Sequence, residues 1–390
     1  MTSGPGARDR AARPSLWTVL AQWGRIGITG FGGPPAHIAL LRDLCIERRR
    51  WLRAHDFEDA IAACNLLPGP ASTQLAIFSA WRVAGIAGAI VGGIAFIVPG
   101  LVIILGLAAL FLAAAPPTWV LGAGAGAGAA VAAVAVRAGS DLVRPSLTRA
   151  TARWRWAVYA SLGGAAAATL GAWLVLVLLA CGLIEITINT FRHDTKLGAQ
   201  LWPALAATTT AATGGLLALI WVAFKVGALS YGGGFVIIPL MRGDAVDHYH
   251  WMTNAQFLDA VALGQVTPGP VVQTVAVVGY AAAGIAGGLL AALVAFTPSF
   301  VFVLLGAPRF DRLRNDPSAR AFLNGAGPAA IGAIIGVAIP LARALSETWR
   351  FAILAAAGIA LFPLRRPVVV TLVGAGIIGA IAALLGAPLP

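Results

Sequence analysis

Apolar runs long enough to cross a bilayer recur along most of the chain. A helix needs about 20 apolar residues to cross ~30 Å of hydrocarbon. Residues 84–112, 119–138, 156–190, 203–229, 284–306 and 322–342 meet that length, as does the pair 349–362 and 367–388. Two further apolar segments, 16–40 and 57–81, are interrupted by Gly and Pro. The pattern predicts an all-α polytopic membrane protein with about ten to thirteen crossings or half-crossings. Glycines at four-residue spacing, such as Gly124 with Gly128 and Gly284 with Gly288, suit close helix packing in lipid. The Gly/Ala stretch 122–130 therefore reads as packing surface and not as a linker.

The pattern repeats. At an offset of 200, Gly32-Gly33 aligns with Gly232-Gly233, Trp51 with Trp251, Phe57 with Phe257, Asp59-Ala60 with Asp259-Ala260, and Pro68-Gly69-Pro70 with Pro268-Gly269-Pro270. From 23 to 70, 14 of 48 positions are identical, too many for two unrelated apolar segments. One deletion then shifts the offset to 199, and Gln74 meets Gln273, Gly85-Ile86-Ala87-Gly88 meets Gly284-Ile285-Ala286-Gly287, and Pro99 meets Pro298. The chain thus divides into two homologous helical halves, 1–195 and 196–390, a build common in secondary transporters.

Composition agrees with a bilayer protein: 59% of residues are hydrophobic and 11% charged, against about 25% charged in soluble domains. The net charge of +12 comes from 25 Arg and two Lys. Most Arg lie in short gaps between apolar runs, which points to cytoplasmic loops and away from nucleic acid. The loop 42–53 carries five Arg, whereas 242–253 keeps Arg242 and gains Asp244, Asp247, His248 and His250. That contrast favours inverted repeats. The loops 137–155 and 309–320, basic in both halves, do not follow it. Cys45, Cys64 and Cys181 are too far apart for a metal site and read as unpaired packing residues. No signal peptide is expected from the basic N-terminus, and neither a Walker A motif nor a catalytic triad is present. The chain reads as no enzyme and as needing no cofactor or metal.

The candidate chemistry lies at the interruptions. Pro lacks an N–H, and Gly admits backbone angles closed to other residues, so Gly30 to His37 and Leu67 to Pro70 should unwind the chain, as should Ser230 to Gly234 and Thr267 to Pro270. Each break begins a half-helix whose free N–H groups and dipole favour anions. Candidate binding residues are Gly32, Gly33, His37, Asn65, Pro68, Gly69, Pro70, Ser72, Thr73 and Gln74 in the first half, with Gly232, Gly233, Gly234, Gln265, Pro268, Gly269, Pro270 and Gln273 in the second. Arg25 and Lys225, matched and seven residues before the Gly pair, either face the breaks or snorkel to the interface. Asp59 and Asp259, nine residues before each Pro-Gly-Pro, are candidates for coupling; the alternative is a surface charge at a helix start. His37 is a possible titrating group or a packing histidine, and Glu185 is expected to reach the interface.

The same motifs resemble those of the chromate ion transporter family, of the long two-domain type. The resemblance is carried by Phe31-Gly32-Gly33-Pro34 with Ala36-His37, Arg50-Trp51-Leu52, Phe57, and Leu67-Pro68-Gly69-Pro70 with Ser72-Thr73-Gln74. The second half contributes Gly227 to Gly234, Pro239, Trp251, Phe257-Leu258-Asp259-Ala260, Gly264 to Pro270, and Gly279-Tyr280. Asn65, where the family commonly has Gln, and Tyr231, where Phe is usual, depart from it. The resemblance implies efflux of chromate across a bacterial inner membrane, driven by the ion-motive force, with halves of opposite topology. A sulfate-like oxyanion is the alternative substrate, and a non-transporting membrane scaffold is the reading from another class. Oxyanion and lipid bilayer are the expected partners, nucleic acid is not, and the chain is expected to work as a monomer or homodimer.

Overall fold

The computed structural model describes residues 14–64, 69–170, 173–192, 215–230, 236–306 and 316–389. Among these every regular element is helical. The first half comprises α1 (Leu16–Thr29), α2 (Pro34–Arg42), α3 (Ala54–Cys64), α4 (Ala71–Phe111), α5 (Thr118–Arg149), α6 (Arg153–Thr169) and α7 (Leu174–Arg192). The second comprises α8 (Leu216–Leu229), α9 (Ile237–Arg242), α10 (Asn254–Val266), α11 (Thr274–Gly306), α12 (Pro317–Gly336), α13 (Ala338–Arg343), α14 (Thr348–Leu361) and α15 (Val368–Leu384). The repeat seen in sequence recurs in backbone detail. A π-helical turn follows α2 at Asp43–Arg48 and α9 at Gly243–His248. Two residues after each turn the chain enters the left-handed region, at Arg50 (φ 50°) and His250 (φ 52°). The boundary between 195 and 196 lies outside the described residues.

The helices α4 and α11 are hairpins. Each leaves helical geometry at a matched dipeptide, Ala84-Gly85 and Ala283-Gly284, where the glycine takes φ of 70° and 63°. Only Gly adopts that angle without a Cβ clash. The reversal is visible in the packing: a Cβ added to Gly93 would stand 2.8 Å from Ile77 Cγ1, although a straight helix would separate those residues by about 24 Å. In the other half, a Cβ on Gly287 would meet the Gly279 carbonyl at 2.2 Å. The Gly-Ile-Ala-Gly match of the two halves is therefore a helix-reversing turn, and Gly284 serves as the turn instead of as a packing groove.

Among the described residues, four helical stretches are long and apolar enough to cross a membrane: Ala71–Phe111 and Val271–Gly306, counted through their turns, with Thr118–Arg149 and Pro317–Arg343. Large apolar side chains cover the outside, with Leu217 77%, Leu293 69% and Val102 65% exposed, which only a lipid environment accommodates. The halves interlock, since α5 packs along α14 and α15 while α12 packs along α6 and α7. Small residues permit these approaches. On α5, Gly122 and Gly126 meet Gly379 and the Ala375 carbonyl of α15; on α12, Gly332 and Gly336 meet Ala160 and Gly164 of α6. The 122–130 stretch thus is packing surface on two sides, because Gly124 and Gly128 turn toward α10.

Two buried contacts anchor the frame. Trp23 Nε1 donates to the Ala76 carbonyl at 2.8 Å, tying α1 to the first arm of α4. Glu185 is not at the interface. It is 5% exposed, accepts from Tyr159 Oη at 2.9 Å and pairs with Arg155 at 2.7 Å. An acid in lipid-facing sequence finds a partner on the neighbouring helix because a lone buried charge costs more than a satisfied one. Cys45, Cys64 and Cys181 are free thiols and buried, as their spacing suggested.

Candidate functional site at the helix breaks

The interruptions come together where the halves cross. Gly69, of the first Pro-Gly-Pro, lies against α11 and α8: a Cβ there would be 3.3 Å from Ser299 Oγ and 3.5 Å from the Gly227 carbonyl. The second Pro-Gly-Pro lies against α4 and the end of α1. A Cβ on Gly100 would be 2.1 Å from the Pro268 carbonyl, and the Gly269 N–H donates to the Gly30 carbonyl at 3.1 Å. Gly100 and Ser299 are equivalent at the offset of 199, so the two contacts are related by the repeat. Both central glycines are in the left-handed region, with φ of 117° and 104°. Pro99 and Pro298, one residue before these contacts, each remove a helical N–H and loosen the helix at the crossing. Gly27 and Gly227 let α1 and α8 come close at the same level, against the Phe96 and Ala295 carbonyls.

His37 links the breaks within the first half. It is fully buried; its Nε2 lies 2.9 Å from the Gly30 carbonyl and its Nδ1 3.3 Å from Ser72 Oγ. Its ring packs edge-on to Phe96 with centroids 5.0 Å apart. Hydrogen bonds on both nitrogens and an aromatic wall make it a structural tie between the two breaks. Gln273 does similar work across the halves, donating from Nε2 to the Ile97 carbonyl at 2.8 Å.

Polar groups on and beside the breaks are only partly satisfied. Thr73 Oγ1, Ser230 Oγ, Ser299 Oγ, Gln265 Nε2 and Gln273 Oε1 are buried without a hydrogen-bond partner. Most buried polar atoms in folded proteins are paired, so such a concentration of open ones needs a physical reason. Three are hydroxyls and one an amide nitrogen, and all four can donate to an anion. The helices beginning here add their own N-termini: α4 starts after Pro70 and the short 3₁₀ turn Val271–Gln273 after Pro270, neither with a side-chain cap. Thr73 and Gln74 N–H groups fold back on the Pro70 carbonyl, and Gln273 on that of Pro270.

Other sequence candidates are placed elsewhere. Gly32 and Gly33 open at the surface, where α2 begins with Pro34 and Pro35 and no side-chain cap. Arg25 is exposed on the outer face of α1, in a groove with Trp17, Leu20 and Ile28. Lys225 is engaged by Asp244 of the second π turn at 2.7 Å and sits over the Trp221 ring. Asp59 pairs with His55 at 3.2 Å at a site one-third exposed. Asp259, half-buried on α10, faces Gly124 and Gly128 of α5. Asn65, Pro68, Gly232, Gly233 and Gly234 lie outside the described residues. Among the described residues no group of three or more metal-ligating side chains occurs. The buried, unpartnered hydroxyls of Ser230 and Ser299 were not among the candidates drawn from the sequence. The match of Pro99 to Pro298 could have drawn attention to Ser299, because it marks where each long helix loosens.

Comparison with known proteins places this architecture. The family model for the chromate transporter matches residues 17–186 and 217–383, once in each half. The chain belongs to the chromate transporter family. It is 34% identical to the chromate transport protein of Cupriavidus metallidurans over 98% of this chain and 96% of that one. It is 30% identical to a probable chromate transport protein of Synechococcus elongatus, over 84% of this chain and 85% of the relative. The chromate transport protein of Pseudomonas aeruginosa is 29% identical over 84% and 82%. No solved structure matches. Members of this family are membrane transport proteins and not enzymes, and the double match follows the repeat read from the sequence.

Proposed function

We propose that the chain exports chromate across the bacterial inner membrane, using the ion-motive force, and binds the oxyanion where the two Pro-Gly-Pro breaks cross. The observation that carries this reading is the set of buried, unpartnered donors on and beside the breaks: the Thr73 hydroxyl after the first Pro-Gly-Pro, the Ser299 hydroxyl next to Gly69, the Ser230 hydroxyl at the end of α8 and the Gln265 amide before the second Pro-Gly-Pro. A tetrahedral dianion can accept from several donors at once, and neutral hydroxyl and amide donors, with the N-terminus of α4 at Thr73, bind it without trapping it as a full positive charge would. The repeats 1–195 and 196–390, threaded in opposite senses, supply the two faces of the site, so one chain is sufficient for transport. The loop charges at 42–53 and 242–253 support that topology. Arg25 and Lys225 then serve orientation and packing, in keeping with their exposed and ion-paired settings.

The donors read charge and shape, which sulfate shares, so sulfate is the competitor to measure. The test is flux of labelled chromate and sulfate in everted membrane vesicles, with and without a proton gradient. Gradient-stimulated chromate uptake, reduced by excess sulfate, is expected. Chromate flux no greater than in vesicles lacking the protein would overturn the proposal.

A further inference from the structure

The repeat places an arginine at the third residue of α6 and of α14: Trp154-Arg155-Trp156 and Trp349-Arg350-Phe351. Both side chains are buried, Arg155 at 8% exposure and Arg350 at 0%. Their surroundings differ. Arg155 is neutralised by Glu185 of α7, which Tyr159 also holds. The helix equivalent to α7 is α15, and it carries no titratable side chain. Arg350 keeps one bond, from Nε to the Ala125 carbonyl at 3.2 Å, and both of its terminal nitrogens are buried without a partner. On α10, Asp259 has an Oδ1 that is likewise buried and unpartnered. Asp259 and Arg350 face the same stretch of α5. A Cβ on Gly124 would lie 2.7 Å from Asp259 Oδ2, and Arg350 bonds the next residue.

We infer that Asp259 and Arg350 form the proton-exchanging charge pair of transport, the carboxylate taking up one proton and giving it up again in each cycle. The inference rests on the transport reading above. A fully closed ion pair, as at Arg155, is locked by its hydrogen bonds. Asp259 and Arg350 face neighbouring residues of α5 without a bond that locks them, and acids inside membranes commonly serve proton movement. Guanidinium does not deprotonate in proteins, so proton exchange in this pair falls to Asp259.

The groups facing Asp259 support that assignment. On α5 it meets backbone at Gly124 and Gly128; α15 presents Leu372 and Gly376, and α4 presents Leu107, around a cavity of about 320 Å³ that the Asp259 side chain lines. Around the second π turn the charges are matched among themselves, Lys225 with Asp244 and Arg242 with Asp247. From α14 comes Arg350, on which Glu347 also acts. In the first half the equivalent acid, Asp59, is tied to His55 near the surface, so the two matched aspartates do not share this setting.

The decisive readout is the number of protons moved per chromate in proteoliposomes, which does not depend on how fast a variant works. Asp259→Asn should lower that ratio by one relative to wild type. Asp259→Glu should restore it with a displaced pH profile, and Arg350→Gln should displace the profile further than Arg155→Gln does. For a variant too slow to give a ratio, dye-monitored acid titration of the purified protein serves, with elution volume as the check on folding: wild type should bind one more proton than Asp259→Asn. An unchanged proton ratio or an unchanged titration in Asp259→Asn would overturn the pair, as would an Arg350→Gln variant with weakened chromate binding and no displaced pH profile. Wild-type vesicles with no chromate flux would instead overturn the transport reading.

Discussion

Ser299→Ala tests whether the open donors exist for a ligand or for the fold. Ser299 is 0% exposed and its hydroxyl has no partner. Leaving such a group buried and unpaired costs about 1–3 kcal/mol. Removing it deletes that cost, and the void left by one oxygen is too small to offset much of it. The substitution should therefore leave thermal stability unchanged or raise it by about 1 kcal/mol. A hydrogen bond to a charged group contributes about 1.5–3 kcal/mol. If chromate accepts one from Ser299, its affinity should fall about tenfold or more, since 1.4 kcal/mol is a factor of ten. The measurements are thermal unfolding of the purified protein in detergent and the chromate concentration giving half-maximal uptake in vesicles. A variant that loses more than about 1 kcal/mol of stability while keeping wild-type chromate affinity would refute the reasoning and assign the hydroxyl to the fold.

Two further predictions concern the frame. Glu185→Gln removes the acid that neutralises buried Arg155, and breaking such a pair costs about 3–5 kcal/mol; thermal unfolding should show a large loss, while Arg155→Met with Glu185→Leu together should recover much of it. Gly332→Leu puts a side chain where even a Cβ would be 1.8 Å from the Ala160 carbonyl, so α12 and α6 must part; the yield of monodisperse protein should collapse, whereas Gly358→Leu, with open space around it, should express as wild type.

Fold class, duplication and the places where helices break are legible in the chain alone. Those depend on local chemistry: apolar run length against bilayer thickness, and the backbone limits of Pro and Gly, which hold wherever the residues fall in space. The repeat also marked Gly85 and Gly284 as matched, though not as hairpin turns, since a left-handed glycine reads the same in sequence whether the chain then continues or reverses. The tertiary structure decided which breaks meet. Gly30 joins Gly269, and Gly69 joins the Ser299 level of α11, through packing between residues some 200 positions apart. Arg25 and Lys225 showed the reverse limit: their matched spacing was legible, but the face each occupies depends on helix rotation against neighbours, which turned one outward and gave the other Asp244. Arg350 was invisible for the same reason. Its setting depends on the lack of an acid on α15 and on α5 of the other half, which both Arg350 and Asp259 face.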